Sequence, residues 1–301
     1  MNFGKRTPAA EAERIVAHAL DRGLRVFDTA NAYNDGESER ILGRAIASRR
    51  GEVTIASKVG FARTAGKPEG LSRSAILRAI DATLQRLGTD YVDIYYLHVP
   101  DHATPIAETL DAIAVLLESK KIRAWGVSNY AAWQILEMMQ LSDACGMARP
   151  SISQVLYNLV IRELDIEYFA FAKTRALHTT IFNPLAGGLL SGRHVRASAA
   201  PKGSRFDGNA LYQRRYWTDA MFDRVEALRA VAESEKMSLV ELSYAWVASR
   251  PGVDSILVGP VTVEHIDAAI EACGKRVSPE ALAKIDELDR TWRGTDAHYV
   301  R

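Results

Sequence analysis

Three short apolar runs near the start of the chain each end on an ionisable side chain. Leu24-Arg25-Val26-Phe27 runs into Asp28, Val53-Thr54-Ile55-Ala56-Ser57 into Lys58, and Val92-Asp93-Ile94-Tyr95-Tyr96-Leu97 into His98. Runs of this length and composition read as buried strands. The longer segments between them carry apolar residues at helical spacing, and strands alternating with helices are what a parallel sheet requires. In a parallel α/β barrel the carboxyl ends of the strands converge on one face, where chemistry is done. Asp28, Lys58 and His98, with Tyr33 in the loop after the first run, are therefore the candidate catalytic group.

The alternation continues downstream. Thr7-Pro8 predicts an N-cap and first helical position, followed by Ile15, Val16, Ala19 and Leu20 on one face. Helices are expected over residues 38–48, 72–87 (closed by Gly88), 104–120 after a second Thr-Pro pair, 131–144 and 165–176. Strands are expected over 122–127, 152–156, 178–182 and 255–258. From Asp28 to Phe182 strand ends recur every ~25 to 40 residues, about one (β/α) unit of a barrel. Residues 187–217 break the rhythm, being rich in Gly, Pro, Ser and Arg, and a loop of that length reads as a lid or binding loop. Helices follow from 219 to 235, from Ser238 with Glu241 completing a capping box, over 263–273, and from Ser278-Pro279-Glu280.

Composition bounds the function classes. The chain has 301 residues, 48% of them hydrophobic and 25% charged, with no Pro/Gly/Ser-rich linker between halves, so one large domain spanning 1–301 is expected. A net charge of +1 argues against electrostatic capture of nucleic acid or an acidic membrane surface. No apolar run approaches the ~20 residues needed to cross a bilayer, and no secretory signal is visible, so a cytoplasmic location is expected. Cys145 and Cys273 are too few for a disulfide framework and lack metal-ligand spacing; buried thiols and no metal are the expectation.

Several motifs occur in one order: Asp28-Thr29-Ala30 with Tyr33, Ser57-Lys58-Val59-Gly60, Leu97-His98, Gly126-Val127-Ser128-Asn129, Gln154 with Tyr157-Asn158-Leu159, the run from Asn183 to Gly192, and a weaker Val258-Gly259-Pro260. In these segments, over residues 1 to about 290, the chain resembles the aldo-keto reductases. The resemblance implies a (β/α)8 TIM barrel and an NADP(H)-dependent enzyme that reduces an aldehyde or ketone to an alcohol, with Tyr33, Asp28, Lys58 and His98 as its tetrad. It further implies that Ser128, Asn129 and Gln154 hold the nicotinamide carboxamide. Phe182 stands where a Tyr commonly stacks on the nicotinamide ring, and Asn183, Leu185 and Gly187 match pyrophosphate contacts. In the family a further strand precedes the segment matching Asn2-Phe3-Gly4. Over the residues given, the barrel lacks that first strand and the N-terminal hairpin; seven strands are counted, and a natural start upstream of Met1 is the expectation.

Two departures bear on the cofactor and the loop. Where the family places basic and amide side chains on the adenosine 2′-phosphate, near Gly259, this chain has Val261, Thr262, His265 and Ala269. That leaves NAD(H) open beside NADP(H), with His265, Lys275, Arg276, Arg193 and Arg205 as the basic candidates. Asn34 stands where a Gly usually follows the tyrosine, and Asn is the next best residue for positive φ.

The chemistry follows from the groups. No side chain can supply a hydride, so a nicotinamide must. Tyr33 can give the proton if a nearby Lys58 ammonium favours its phenolate, with Asp28 orienting Lys58. His98 would either hydrogen-bond the substrate carbonyl or assist the proton relay. Taken singly, each residue also has a plainer reading: an ion pair for Asp28 and Lys58, a satisfied core histidine, a loop tyrosine, a helix cap for Asn129. A non-catalytic, nucleotide-binding regulatory protein on the same fold, as in family members resembling channel subunits, is the competing function.

Overall fold

The computed structural model describes residues 1–64, 66–196 and 198–300. In chain order, α1 (Ala9–Asp21) leads to β1 (Val26–Asp28), α2 (Glu37–Ile46) to β2 (Thr54–Val59), a small hairpin of β3 (Arg63–Thr64) and β4 (Lys67–Pro68) to α3 (Arg73–Leu87), then β5 (Val92–Leu97), α4 (Ile106–Glu118), β6 (Ile122–Ser128), α5 (Ala132–Ala144) and β7 (Ile152–Leu156). There follow α6 (Tyr168–Thr174), β8 (His178–Phe182), α7 (Ala210–Tyr216), α8 (Asp219–Ser234), α9 (Leu239–Ser249), β9 (Ser255–Ile256), α10 (Glu264–Cys273) and α11 (Pro279–Arg293). Hairpin aside, the described residues hold the seven strands counted from the sequence.

The chain divides into two compact units. The first comprises Met1–Val155, Thr174–Thr179 and Gly259–Ile266. In it β1 pairs with β2, β2 with β5, β5 with β6 and β6 with β7, all parallel and in chain order. The strands β2 and β5 are buried along almost their whole length, as parallel strands covered on both faces must be. Ile55, Val59, Leu97 and Val127 of the strands and Ile76, Ile80, Ile113 and Ile135 of the helices are all fully buried. The second unit comprises Leu156–Lys173, Thr180–Val258 and Asp267–Arg301. There β8 and β9 pair in parallel through Thr180 with Ser255 and Ile181 with Ile256, beside a buried cluster of Tyr244, Ala269 and Ala272.

Local signals set most helix ends. Ser72 caps α3 by accepting from Ala75 N, and Gly88 closes it at φ 65°; Ser238 and Glu241 form the expected capping box on α9, and Ser278 caps α11 with Pro279 in its first turn. The two Thr-Pro pairs behave otherwise. Pro8 and Pro105 are themselves the N-cap residues, and neither helix has a side-chain cap. Proline fixes φ but leaves ψ free to be extended, which moves the threonine one residue out of reach of the first turn. Thr104 Oγ1 donates instead to Asp101 at 2.7 Å. Three further expectations are corrected. The segment 187–217 contains helix α7, β9 is two residues long, and Cys145 is exposed because it ends α5 at the surface, while Cys273 is half-buried.

Candidate active site

Lys58 lies on β2 with a fully buried side chain. Taking an ammonium out of water costs several kcal/mol unless it is paired and hydrogen-bonded. Here its Nζ donates to Asp28 Oδ1, to the Thr29 carbonyl at 2.8 Å and to the Tyr33 hydroxyl at 3.4 Å. Burial pulls the Lys58 pKa down, but Asp28 and Tyr33 outweigh it and the net displacement is upward, so the side chain stays an ammonium. The other oxygen of Asp28 accepts from Gln154 Nε2 at 2.8 Å. One carboxylate thus joins β1, β2 and β7.

The loop that brings Tyr33 over Lys58 is set by backbone pairing and by three left-handed residues in succession. Thr29 N donates to the Ala56 carbonyl at 2.8 Å and Tyr33 N to Ala30 at 3.1 Å. Asn34, Asp35 and Gly36 follow at φ 52°, 53° and 81° and launch α2. Such φ values cost ~1–2 kcal/mol for most residues, and Asn and Asp tolerate them best. The Asn34 amide donates to the Phe3 and Met1 carbonyls, so Asn34 adopts the positive φ expected where the family has Gly. Beneath the loop, fully buried Glu39 accepts from Ser57 Oγ at 2.5 Å and pairs with Arg86 at 2.6 Å. Gly36 packs so tightly on Arg86 that a Cβ there would lie 2.5 Å from its chain.

His98 follows β5 and is 8% exposed. Its backbone N donates to Val59 at 2.8 Å and its carbonyl accepts from Asn129 Nδ2 at 2.9 Å. The ring stands edge-on to Tyr33 with centroids 5.7 Å apart, and its Nδ1 is buried with no partner among the described residues. Burial first, then the Lys58 ammonium, lowers its pKa to about 3. His98 is therefore a neutral imidazole at physiological pH.

Two residues beside this group escaped the sequence reading. Phe61, three residues past Lys58, is 53% exposed and lays its ring 5.1 Å from that of His98. Glu69 accepts from Asn31 Nδ2 at 2.8 Å and from Gly60 N at 2.7 Å. The sequence signal for Phe61 was an aromatic just past a glycine at a strand end; Glu69 carries none, since its partners lie on other elements.

Ser128 and Asn129 end β6 and Gln154 lies on the neighbouring β7. Asn129 takes φ 64° and donates through Nδ2 to the His98 carbonyl and, at 3.0 Å, to Ser128 Oγ. It does not cap the following helix, whose N-cap is Ala131.

A sequence model of the Aldo/keto reductase family matches residues 1–290. The chain belongs to the aldo-keto reductase family. It is 31% identical to a probable voltage-gated potassium channel subunit beta from Arabidopsis thaliana, over 96% of this chain and 90% of that protein. It is 30% identical to human aldo-keto reductase family 7 member A3 over 97% of this chain and 92% of that one, and 29% identical to rat aflatoxin B1 aldehyde reductase member 2 over 97% and 83%. As an aldo-keto reductase it is an NAD(P)H-dependent oxidoreductase acting on small carbonyl compounds.

The donor set at the ends of β6 and β7 fits a nicotinamide carboxamide. With Nδ2 of Asn129 and Nε2 of Gln154 committed to protein acceptors, each amide keeps its oxygen for an incoming N–H, and the Ser128 hydroxyl keeps its proton for a carbonyl. In the first unit, Asn2 Nδ2 donates to the Gly259 and Pro260 carbonyls at 2.9 and 3.0 Å, and His265 Nδ1 accepts from Val261 N at 3.3 Å. The remaining cofactor candidates belong to the second unit. Phe182 ends β8, half-buried. Asn183, at φ 59°, donates to the Tyr212 hydroxyl at 3.1 Å, and Leu185 packs on the Tyr244 cluster. Gly187, at φ 70°, lies so close to Tyr212 that a Cβ would come within 2.7 Å of the ring, so only glycine fits. Of the basic candidates, Lys275 is engaged by Glu241 and Arg205 lies over the Tyr212 ring at 5.6 Å; Arg193 is exposed.

Proposed function

We propose that the protein is an NADP(H)-dependent carbonyl reductase in which Tyr33 is the proton donor. The observation that carries this reading is the fully buried Lys58 ammonium held between Asp28 and the Tyr33 hydroxyl. A bound reduced nicotinamide would supply the hydride that no side chain can. Tyr33 OH gives its proton to the carbonyl oxygen as the new C–H bond forms, and the ammonium 3.4 Å away stabilises the negative charge left on the phenol oxygen. Asp28, fixed from its other side by Gln154, keeps Lys58 aimed at the phenol. His98, being neutral, orients the substrate carbonyl by a hydrogen bond and is not a second acid. Ser128, Asn129 and Gln154 would take the carboxamide; Gly259 and His265 in the first unit, and Phe182, Asn183, Leu185 and Gly187 in the second, are the further cofactor-binding candidates.

On this reading the strand–helix alternation belongs to a single (β/α)8 TIM-barrel domain over 1–301, without its first strand and N-terminal hairpin in the residues given, and the enzyme works in the cytoplasm. No helix among the described residues is long and apolar enough to cross a membrane. The preference for NADP(H) rests on the family, since Val261, Thr262 and Ala269 offer no charge to a 2′-phosphate. Fluorescence titration is expected to show tighter binding of NADPH than NADH; equal dissociation constants overturn the preference.

The similarity to channel β subunits favours a second reading, a regulatory nucleotide-binding protein without turnover. Oxidation of NADPH against a panel of aldehydes, ketones and sugars separates the two. Turnover that disappears in Tyr33→Phe supports the reductase, and nucleotide binding with no turnover on any carbonyl supports the regulator.

A further inference from the structure

Between Lys58 and α3 the chain leaves β2, turns through the β3–β4 hairpin and returns. The turn out of β2 is made by Gly60 at φ 104°, a value other residues rarely adopt. Glu69 closes the base of the hairpin twice: its backbone N donates to the Ala62 carbonyl at 2.9 Å, and its carboxylate accepts from Gly60 N at 2.7 Å. The same carboxylate accepts from Asn31 Nδ2 at 2.8 and 3.1 Å. Asn31 lies in the loop between Asp28 and Tyr33, is 8% exposed, and has its Oδ1 buried without a partner among the described residues. Two residues beyond Glu69 the return arm is anchored again, by Leu71 N donating to Asp101 at 2.7 Å. The residue held by this clamp is Phe61, the aromatic that lies half in solvent against His98.

The geometry points to Glu69 as a positioning residue that fixes Phe61 as one wall of the substrate site, so that the enzyme prefers planar aromatic aldehydes and ketones over small aliphatic ones. This inference rests on the reductase reading above. An exposed ring beside the group that takes the carbonyl oxygen is a stacking platform for a conjugated carbonyl, and such contacts have a preferred geometry. A wall left free to swing must be ordered anew by each substrate, a cost that appears in KM. Glu69 touches neither substrate nor reacting atoms; it acts through Phe61 on one side and the Tyr33 loop on the other.

The test uses the full chain with NADPH, 4-nitrobenzaldehyde and propanal as substrates, and trypsin as a probe of the hairpin at Arg63. Glu69→Ala is expected to raise KM for the aromatic aldehyde about two- to tenfold, with a smaller change for propanal and little change in kcat, and to speed cleavage after Arg63. Glu69→Gln is expected to rescue both readouts, because its oxygen can accept from Gly60 N while its amide donates to Asn31 Oδ1 once the Asn31 amide turns over to present that oxygen in place of the Nδ2 that faces Glu69. Phe61→Ala leaves the clamp intact and is expected to raise KM for the aromatic substrate selectively without faster cleavage. An equal rise in KM for both aldehydes, a Gln variant as impaired as the Ala variant, or a Phe61→Ala enzyme with unaltered selectivity overturns the inference. Unchanged trypsin sensitivity in Glu69→Ala overturns the clamp. A wild-type protein that reduces neither aldehyde overturns the substrate preference, and one that also turns over no other carbonyl of the panel overturns the reductase reading, while the proteolysis contrast still decides for or against the clamp.

Discussion

Two buried cations, one in each unit, are built from the same materials and differ in what they leave open. Lys58 has one carboxylate partner, one carbonyl and one phenol. Arg162, 7% exposed, meets Asp165 and Asp286 at 2.8 Å and Asp289 at 3.8 Å, with its guanidinium 5.0 Å from the Trp246 ring. Burial works against the charge in both, and neighbouring carboxylates reverse it, so both cations have raised pKa values. Arg162 is ringed by carboxylates that it shares with Arg250 and Arg293 and is packed under an indole; its Nη1 has no hydrogen-bond partner among the described residues, but its charge is balanced by fixed, ionised neighbours. Lys58 has just enough countercharge to stay protonated, and its third partner is a hydroxyl that can lose a proton, beside an imidazole whose Nδ1 has no partner among the described residues. A buried cation is therefore not in itself a sign of function; a neutral, titratable neighbour left incompletely satisfied is the better one.

Breaking that contrast at its centre gives the largest effect. Tyr33→Phe keeps the ring and removes the proton, so kcat is expected to fall ~10²- to 10⁴-fold with nucleotide affinity little changed, read by NADPH oxidation and fluorescence titration. Wild-type turnover in this variant removes Tyr33 from the chemistry. The matching change in the second unit is Arg162→Met, which removes the buried cation between Asp165 and Asp289 and leaves them only Arg250 at 3.6 Å and Arg293 at 2.5 Å on their outer sides. A loss of ~3–5 kcal/mol in urea unfolding is expected, with turnover per folded molecule retained. A catalytic defect in the folded fraction would show that the Arg162 cluster is more than structural.

The neutral state of His98 sharpens the comparison through pH. The ring is held unprotonated in the folded chain, with a pKa of about 3 against 6.5 for an ordinary histidine. Its contribution to stability is therefore complete above pH 6.5 and is lost as pH falls from there toward 3. Between pH 7 and pH 5 the wild type is expected to lose up to about 2 kcal/mol that His98→Asn keeps, measured by urea unfolding at both pH values. Parallel losses in the two proteins would mean that His98 titrates normally. The smallest effect is expected at the wet end of the Arg162 cluster. Asp286 is 48% exposed, and Asp286→Asn should cost no more than about 1 kcal/mol in the same unfolding measurement.

The sequence by itself determined the alternation of strands and helices, the helix starts at Ser72 and Ser278, the capping box at Ser238, and the appearance of Asp28, Lys58 and His98 at successive strand ends. These are local properties: burial period, capping chemistry and turn residues act over a few positions and leave their pattern in the chain. It misjudged the Thr104-Pro105 opening because a competing partner, Asp101, draws the Thr104 hydroxyl away from the helix. The tertiary structure alone decided how the strand ends are wired. Gln154 reaches Asp28 across 126 positions, Glu69 reaches Asn31 across 38, and Arg86 reaches Glu39 across 47. It also decided that His98 is neutral, since that follows from how completely neighbouring elements bury the ring beside a fixed ammonium. Burial and long-range pairing are properties of packed elements, and no spacing within one segment encodes them.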